Sequence, residues 1–348
     1  MKKSILLFMT IFIGTLTYAQ TIYTVDNRTQ SGAQFQSVQD AVDAASTGDI
    51  IQIHPSPTNY GTATINKQLK LVGLGHDPIT NDQGLTAKLS YINFTGNSAN
   101  STITGLTILN YITTTGIINH IENIHIIHNK IYGISIGGSN GLADSWIIEG
   151  NYFTGTYTNV GSGATNDGWI IKNNFILGGI SGLNVTNLVV NNVFFSNSNS
   201  TSEVFFSNCN ATIISNNIFV TNANMTEFAQ SNCTNLDFRN NLTYSYVGNT
   251  IVALPGTGNL NNTNPMFETT PTGDEDDFYN NDYHLANGSQ GINYGTDGTN
   301  IGIYGNNFLF DTQGRPDTMP YPISIHINNS VVGPGQNLNV DFSAAQKQ

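Results

Sequence analysis

Ile147-Ile148-Glu149-Gly150-Asn151 is followed 23 residues later by Ile170-Ile171-Lys172-Asn173-Asn174. The phrase stands earlier as Ile126-Ile127-His128-Asn129-Lys130. It returns as Val189-Val190-Asn191-Asn192, Ile213-Ile214-Ser215-Asn216-Asn217 and Phe238-Arg239-Asn240-Asn241. Aligned on their last position, the copies end at 130, 151, 174, 192, 217 and 241, at steps of 21, 23, 18, 25 and 24. A period in this range marks a solenoid or propeller. Short β-branched runs bounded by Asn and Gly favour strands. A propeller blade needs about 40 residues, roughly twice this unit, and the Leu framework of a leucine-rich repeat is missing. The repeat therefore predicts an all-β parallel β-helix, one rung per copy.

The asparagines follow from that geometry. There are 49 among 348 residues, beside 35 glycines. Each rung must turn sharply, and Asn and Gly tolerate left-handed backbone angles at least cost. Equivalent residues in a parallel stack lie about 4.8 Å apart. Asn151, Asn174, Asn192, Asn217 and Asn241 then form a ladder whose amides hydrogen-bond up the stack. Ser207-Asn208-Cys209 and Ser231-Asn232-Cys233 are likewise one rung apart. That spacing brings the two cysteines within disulfide range, although in-register side chains run parallel rather than toward each other.

Working outward, residues 1–19 have the form of a secretory signal peptide. Lys2 and Lys3 precede an apolar run from Ile5 to Leu16, and Ala19 stands before the expected cut. The mature chain is expected to be secreted or held at the cell surface, with no membrane span. Ser37 is placed to cap a short helix carrying Val38, Ala41, Val42 and Ala45 on one face. Such a helix, within an N-terminal cap of about residues 22–50, would plug the open end of the solenoid. Residues 311–348 read as a linker and a short C-terminal β segment, after a β-helix spanning 20–310. Charged residues make up 10% of the chain and the net charge is −12. That balance excludes the basic footprint of a nucleic-acid binder, and a monomer is expected.

Two segments carry a family resemblance. The first is Phe35-Gln36-Ser37-Val38-Gln39-Asp40-Ala41-Val42, then Gly48-Asp49-Ile50-Ile51 and Leu69-Lys70-Leu71-Val72-Gly73. It resembles the opening of the pectate-lyase-like right-handed parallel β-helix superfamily. Asn264-Pro265-Met266-Phe267, Asp282-Tyr283-His284-Leu285 and Gly302-Ile303-Tyr304-Gly305 resemble the closing segment of secreted bacterial members. The resemblance covers roughly residues 22–310 and implies a right-handed solenoid. It does not select an activity, since the superfamily holds lyases, hydrolases, esterases, epimerases and non-catalytic members.

The chemistry is therefore sought residue by residue. Polyuronate β-elimination needs a cation near the substrate carboxylate, a base and an acid. The positions two before the aligned end are His128, Glu149, Lys172, Val190, Ser215 and Arg239. An outward stripe of His128, Glu149 and Lys172 would supply a base and a carboxylate; the alternative is a surface ion pair between rungs. Asp144 and Asp167 each stand two residues before a tryptophan, Trp146 and Trp169. With Arg239 they form a candidate sugar-binding set, unless the indoles stack in the core and the aspartates cap turns. Asp274, Asp276 and Asp277 are the candidate ligands for Ca²⁺, the one cofactor considered. His120, His125 and His128 cluster, but no Cys or Asp nearby completes a metal spacing. The paired-aspartate motifs of polygalacturonases and the Asp and Arg pattern of pectin methylesterases are missing. The leading expectation is a protein that contacts extracellular polysaccharide without a conventional catalytic site. A divergent uronate lyase and a purely structural or adhesive surface protein are the alternatives.

Overall fold

In the computed structural model, the described residues are 20–79, 84–115, 120–136, 143–155, 157–160, 166–196, 204–229, 232–270, 275–317, 319–329 and 331–346. Residues 1–19, the segment expected to be a leader, lie outside them. Ten parallel strands stack in chain order in one sheet. They run from Ile22–Val25 through His125–Ile127, Ile147–Glu149, Ile170–Lys172, Leu188–Val190 and Ile213–Ser215 to Asp237–Arg239. The register is strict: Ile126, Ile148, Ile171, Val189, Ile214 and Phe238 are successive partners. All six are buried in one core, while the residues flanking them are mostly half-exposed. This is the alternation that a strand with one buried face requires. The fold is a parallel β-solenoid.

The helix Val38–Ala44 begins at Ser37, whose side chain accepts the Asp40 backbone N–H. Its Val38, Ala41 and Val42 are buried in the same core as Val25, Ile51 and Ile53. The cap thus covers apolar surface that the first rungs would otherwise present to water.

From His125–Ile127 onward each rung leaves the first sheet through a two-residue corner. The first corner residue is left-handed: His128, Gly150, Asn173, Asn191, Asn216 and Asn240 have φ of 57, 66, 53, 56, 59 and 51°. The second is the ladder asparagine. The ladder contains Asn151, Asn174, Asn192, Asn217 and Asn241, and it extends to Asn129 below and Asn259 above. Asn129, not Lys130, is thus the ladder residue of the first copy, and the first step is 22 residues. His tolerates the left-handed region better than most side chains, so His128 fills the corner where later rungs use Gly or Asn.

From Tyr152 to Leu242 the second sheet is buried on both sides. Phe153, Ile176, Phe194 and Phe219 point into the main core. Tyr152, Phe175, Val193, Ile218 and Leu242 point the other way, into a second cluster with Phe267, Phe278, Tyr283, Ile301, Ile303 and Phe310. The chain after the last rung is therefore a strap over this outer face. It meets the corners in reverse order. Asn240 Nδ2 donates to Tyr294 O, Asn216 Nδ2 to Thr296 Oγ1, and Asn173 Nδ2 to Ile303 O and Gly305 O. Phe308 then stacks on the His128 ring, and His76 N–H donates to Gln313 O. Beyond the strap, Tyr321–Ile327 and Val340–Ala345 pair as an antiparallel hairpin. Cys209 and Cys233 are both free thiols. The Cys209 backbone N–H points at Cys233 Sγ, 3.4 Å away, and burial pushes the Cys209 thiol up to about 12.

Candidate functional site

The outer column of the first sheet holds part of the expected stripe. Ile127, Glu149, Lys172, Val190, Ser215 and Arg239 are register partners. Lys172 Nζ lies 2.8 Å from Glu149 Oε1, an ion pair between neighbouring rungs. Arg239 pairs instead with Asp237 on its own strand. His128 does not belong to this column, which corrects the stripe read from sequence. The ladder residue of this rung is Asn129, and the residue two before it is Ile127, the partner of Glu149. His128 is 1% exposed. Its Nε2 sits 3.3 Å from Asp317 Oδ2 and its ring lies under Phe308.

Trp146 and Trp169 are not a sugar platform. Both are fully buried, with ring centroids 4.8 Å apart and planes 12° apart. Each indole Nε1 donates to a carbonyl of the preceding rung, Ile121 O and Ala143 O. Parity along the strand explains this: Trp146 lies two residues before Ile148 and Trp169 two before Ile171, and both isoleucines point inward. Asp144 and Asp167 remain near the surface and organise corners. Asp144 Oδ1 accepts the Asp167 N–H at 2.8 Å. Asp167 Oδ1 accepts from Asn184 Nδ2 and Thr186 Oγ1 at 2.9 and 3.2 Å. Asp274 lies outside the described residues. Asp276 and Asp277 fall in the 3-10 turn Glu275–Asn280, and their side chains are likewise outside the description.

A different surface stands out on the outer face of the second sheet, toward the N-terminal end. The strands Tyr91–Asn97 and Thr107–Thr114 pair with Ile92 opposite Ile112, which sets Tyr91 beside Tyr111. Lys130–Ser135 continues the stack, with a register shift between Ile131 and Gly133. Tyr132 follows the buried Ile131 and so points outward, and the shift, which pairs Gly133 with Tyr111, brings its ring beside Tyr111. The two rings meet edge to face at 5.2 Å and 86°. Tyr91 is 38% and Tyr132 37% exposed, with Tyr111 half-buried between them. Burial raises the Tyr111 phenol, and the neighbouring Tyr132 and Tyr91 add to the effect. On the next rung Gly155 N–H donates to Tyr132 O. A Cβ at Gly155 would come within 2.1 Å of that oxygen and 3.2 Å of the Tyr132 ring. Only glycine fits against the Tyr132 carbonyl there.

Three phenols on successive rungs make a ridge with apolar edges and polar tips. This combination suits a ligand that is itself half apolar and half hydroxylated. The sequence signal was present, since Tyr91, Tyr111 and Tyr132 stand at steps of 20 and 21. A single tyrosine per rung is a weaker repeat than the Asn phrase. Among the described residues, no helix is long and apolar enough to cross a membrane. No protein-family model matches the chain, and no curated protein matches it.

Proposed function

We propose that this protein is an extracytoplasmic glycan-binding solenoid whose contact surface is the ridge of Tyr91, Tyr111 and Tyr132. The observation that carries the reading is the surface edge-to-face pair of half-buried Tyr111 and exposed Tyr132, with Tyr91 on the neighbouring rung beside it. Aromatic rings bind sugars through the apolar faces of the pyranose, and hydroxyl tips supply hydrogen bonds at small conformational cost. A rung-spaced array suits a repeating polymer better than a single small molecule. The net charge of −12 repels polyanions, so the favoured ligand is a neutral polysaccharide. Contact without bond cleavage accords with Lys172 lying in an ion pair with Glu149 and with His128 being buried.

The test is affinity electrophoresis of the purified chain in gels of neutral glucans, xylans and mannans, with a polyuronate beside them. Retardation in a neutral gel, reduced about tenfold in apparent affinity (~1.4 kcal/mol) by Tyr111→Ala, is expected. Retardation in no gel, or retardation unchanged in Tyr91→Ala/Tyr111→Ala/Tyr132→Ala, refutes the proposal. Growth of ultraviolet absorbance on the polyuronate would favour the lyase reading instead.

A further inference from the structure

His120 stands just before the short strand Ile121–Glu122, whose neighbour on the next rung is Ala143–Asp144, so His120 and Glu122 flank Ile121. Ile121 and Ala143 are both fully buried. Alternation along the strands therefore sends His120, Glu122 and Asp144 outward together. Register sets Asp144 directly opposite Glu122. His120 Nδ1 lies 2.5 Å from Asp144 Oδ2. One imidazole nitrogen and one oxygen from each carboxylate all fall within 4.8 Å of one another. We infer that His120, Glu122 and Asp144 form a binding site for a divalent transition-metal cation of the zinc class.

The donor set selects the class of metal. One nitrogen and two carboxylate oxygens suit zinc, cobalt or nickel, whereas Ca²⁺ seeks six to eight oxygens. Ligands about 2.0–2.2 Å from a tetrahedral ion stand roughly 3.3–3.5 Å apart, so small side-chain rotations complete the shell. A neutral imidazole with two carboxylates offers a charge of −2, which matches a dication. The Asp144 carboxylate is already oriented, because its other oxygen accepts the Asp167 N–H at 2.8 Å. Such a hydrogen bond behind a ligand fixes its direction and strengthens binding. The site is open: the His120 side chain is 47% exposed, leaving remaining positions to water or to a donor from a bound molecule. The spacing is illegible in the local sequence because the third ligand comes from the next rung, 24 residues after His120.

The same geometry without metal is a plain His120–Asp144 ion pair, and the experiment separates the two. The purified, untagged chain is stripped with chelator, then titrated with Zn²⁺ by calorimetry and with Co²⁺ by visible absorption. The expected result is one ion per chain, a four- or five-coordinate Co²⁺ spectrum, and a rise in melting temperature on loading. His120→Gln and Glu122→Gln should each weaken binding at least tenfold while leaving the metal-free melting temperature and circular dichroism unchanged. Asp144 is left intact because it also holds the Asp167 backbone. Absence of saturable binding, or binding that survives both substitutions undiminished, overturns the inference. Failure of glycan binding leaves this site untouched, since it shares no residue with the tyrosine ridge.

Discussion

Asn174 Oδ1 accepts two hydrogen bonds from Asn151, one from the backbone N–H at 2.9 Å and one from Nδ2 at 3.0 Å. Asn151 Nδ2 also donates to Glu149 O on its own rung and to Ile126 O on the rung before. The same pattern joins Asn174 to Asn192, Asn192 to Asn217 and Asn217 to Asn241. Every ladder amide thus satisfies the buried backbone of its own corner and of its neighbour's. Replacing Asn174 or Asn217 by Leu should destabilise the protein by about 1–3 kcal/mol, since buried N–H and C=O groups lose partners. Urea unfolding followed by circular dichroism measures this. An unchanged midpoint in both variants would remove the ladder from the account.

The Trp146–Trp169 stack makes a separate prediction. Trp169→Ala should cost about 3–5 kcal/mol by leaving a cavity in the core. Near-ultraviolet circular dichroism should lose the signal of the paired indoles. Among variants that remain folded, Trp169→Phe should leave glycan retardation unaltered. A selective loss of retardation in Trp169→Phe would show that the indole reaches ligand after all.

The Glu149–Lys172 pair has side chains 17% and 28% exposed. Its strength is that of a surface ion pair, so Lys172→Ala should shift stability by no more than about 1 kcal/mol. Its effect should shrink further as salt rises. A substantially larger, salt-independent loss would mean that the pair holds the sheet face together.

The strap should let go in acid. His76 is buried, its carbonyl accepts the Tyr279 O–H at 2.9 Å, and its Nδ1 lies 3.1 Å from the same oxygen. Burial, with a contribution from the Lys130 charge, lowers its pKa to about 3. Unfolded His titrates near 6.5. The folded chain resists a proton that the unfolded chain accepts, so stability is full above about 6.5 and falls as pH drops toward about 3. The slope from this residue is at most about 1.4 kcal/mol per pH unit. Urea midpoints measured from about pH 7 to about pH 4.5 should fall less steeply in His76→Asn than in the parent chain. Parallel slopes would contradict the burial argument.

The solenoid was legible because its signal is periodic. The strand, the left-handed corner and the ladder Asn recur in each rung, and the physics of turning restricts those positions to few residues. The register failed at one point, where His128 replaces the Gly or Asn of later corners and Lys130 follows the true ladder residue. The inward course of Trp146 and Trp169 was also legible, through their parity with Ile148 and Ile171. Of the two readings of these indoles, sugar contact and a core stack, the structure shows the stack. The strap was not legible. Tyr152, Phe175 and Val193 precede inward residues of equal hydrophobicity, so the second sheet shows no alternation. Its cover comes from residues about 100 positions distant that share no period with it. The tyrosine ridge depends on a register shift at Ile131–Gly133, and the His120–Asp144 approach depends on stacking. The ridge leaves only the 20- and 21-residue spacing of its tyrosines in the sequence, and the metal-ligand approach leaves no spacing that marks it.

The glycan-binding claim is tested most directly by hydrogen–deuterium exchange with and without the polysaccharide that retards the protein. Bound polymer should protect the segments Tyr91–Asn97, Thr107–Thr114 and Lys130–Ser135 and leave Ile147–Glu149 and Ile170–Lys172 unchanged. Protection confined to the Glu149–Lys172 face, with the three tyrosine strands exchanging as in the free protein, would contradict the account.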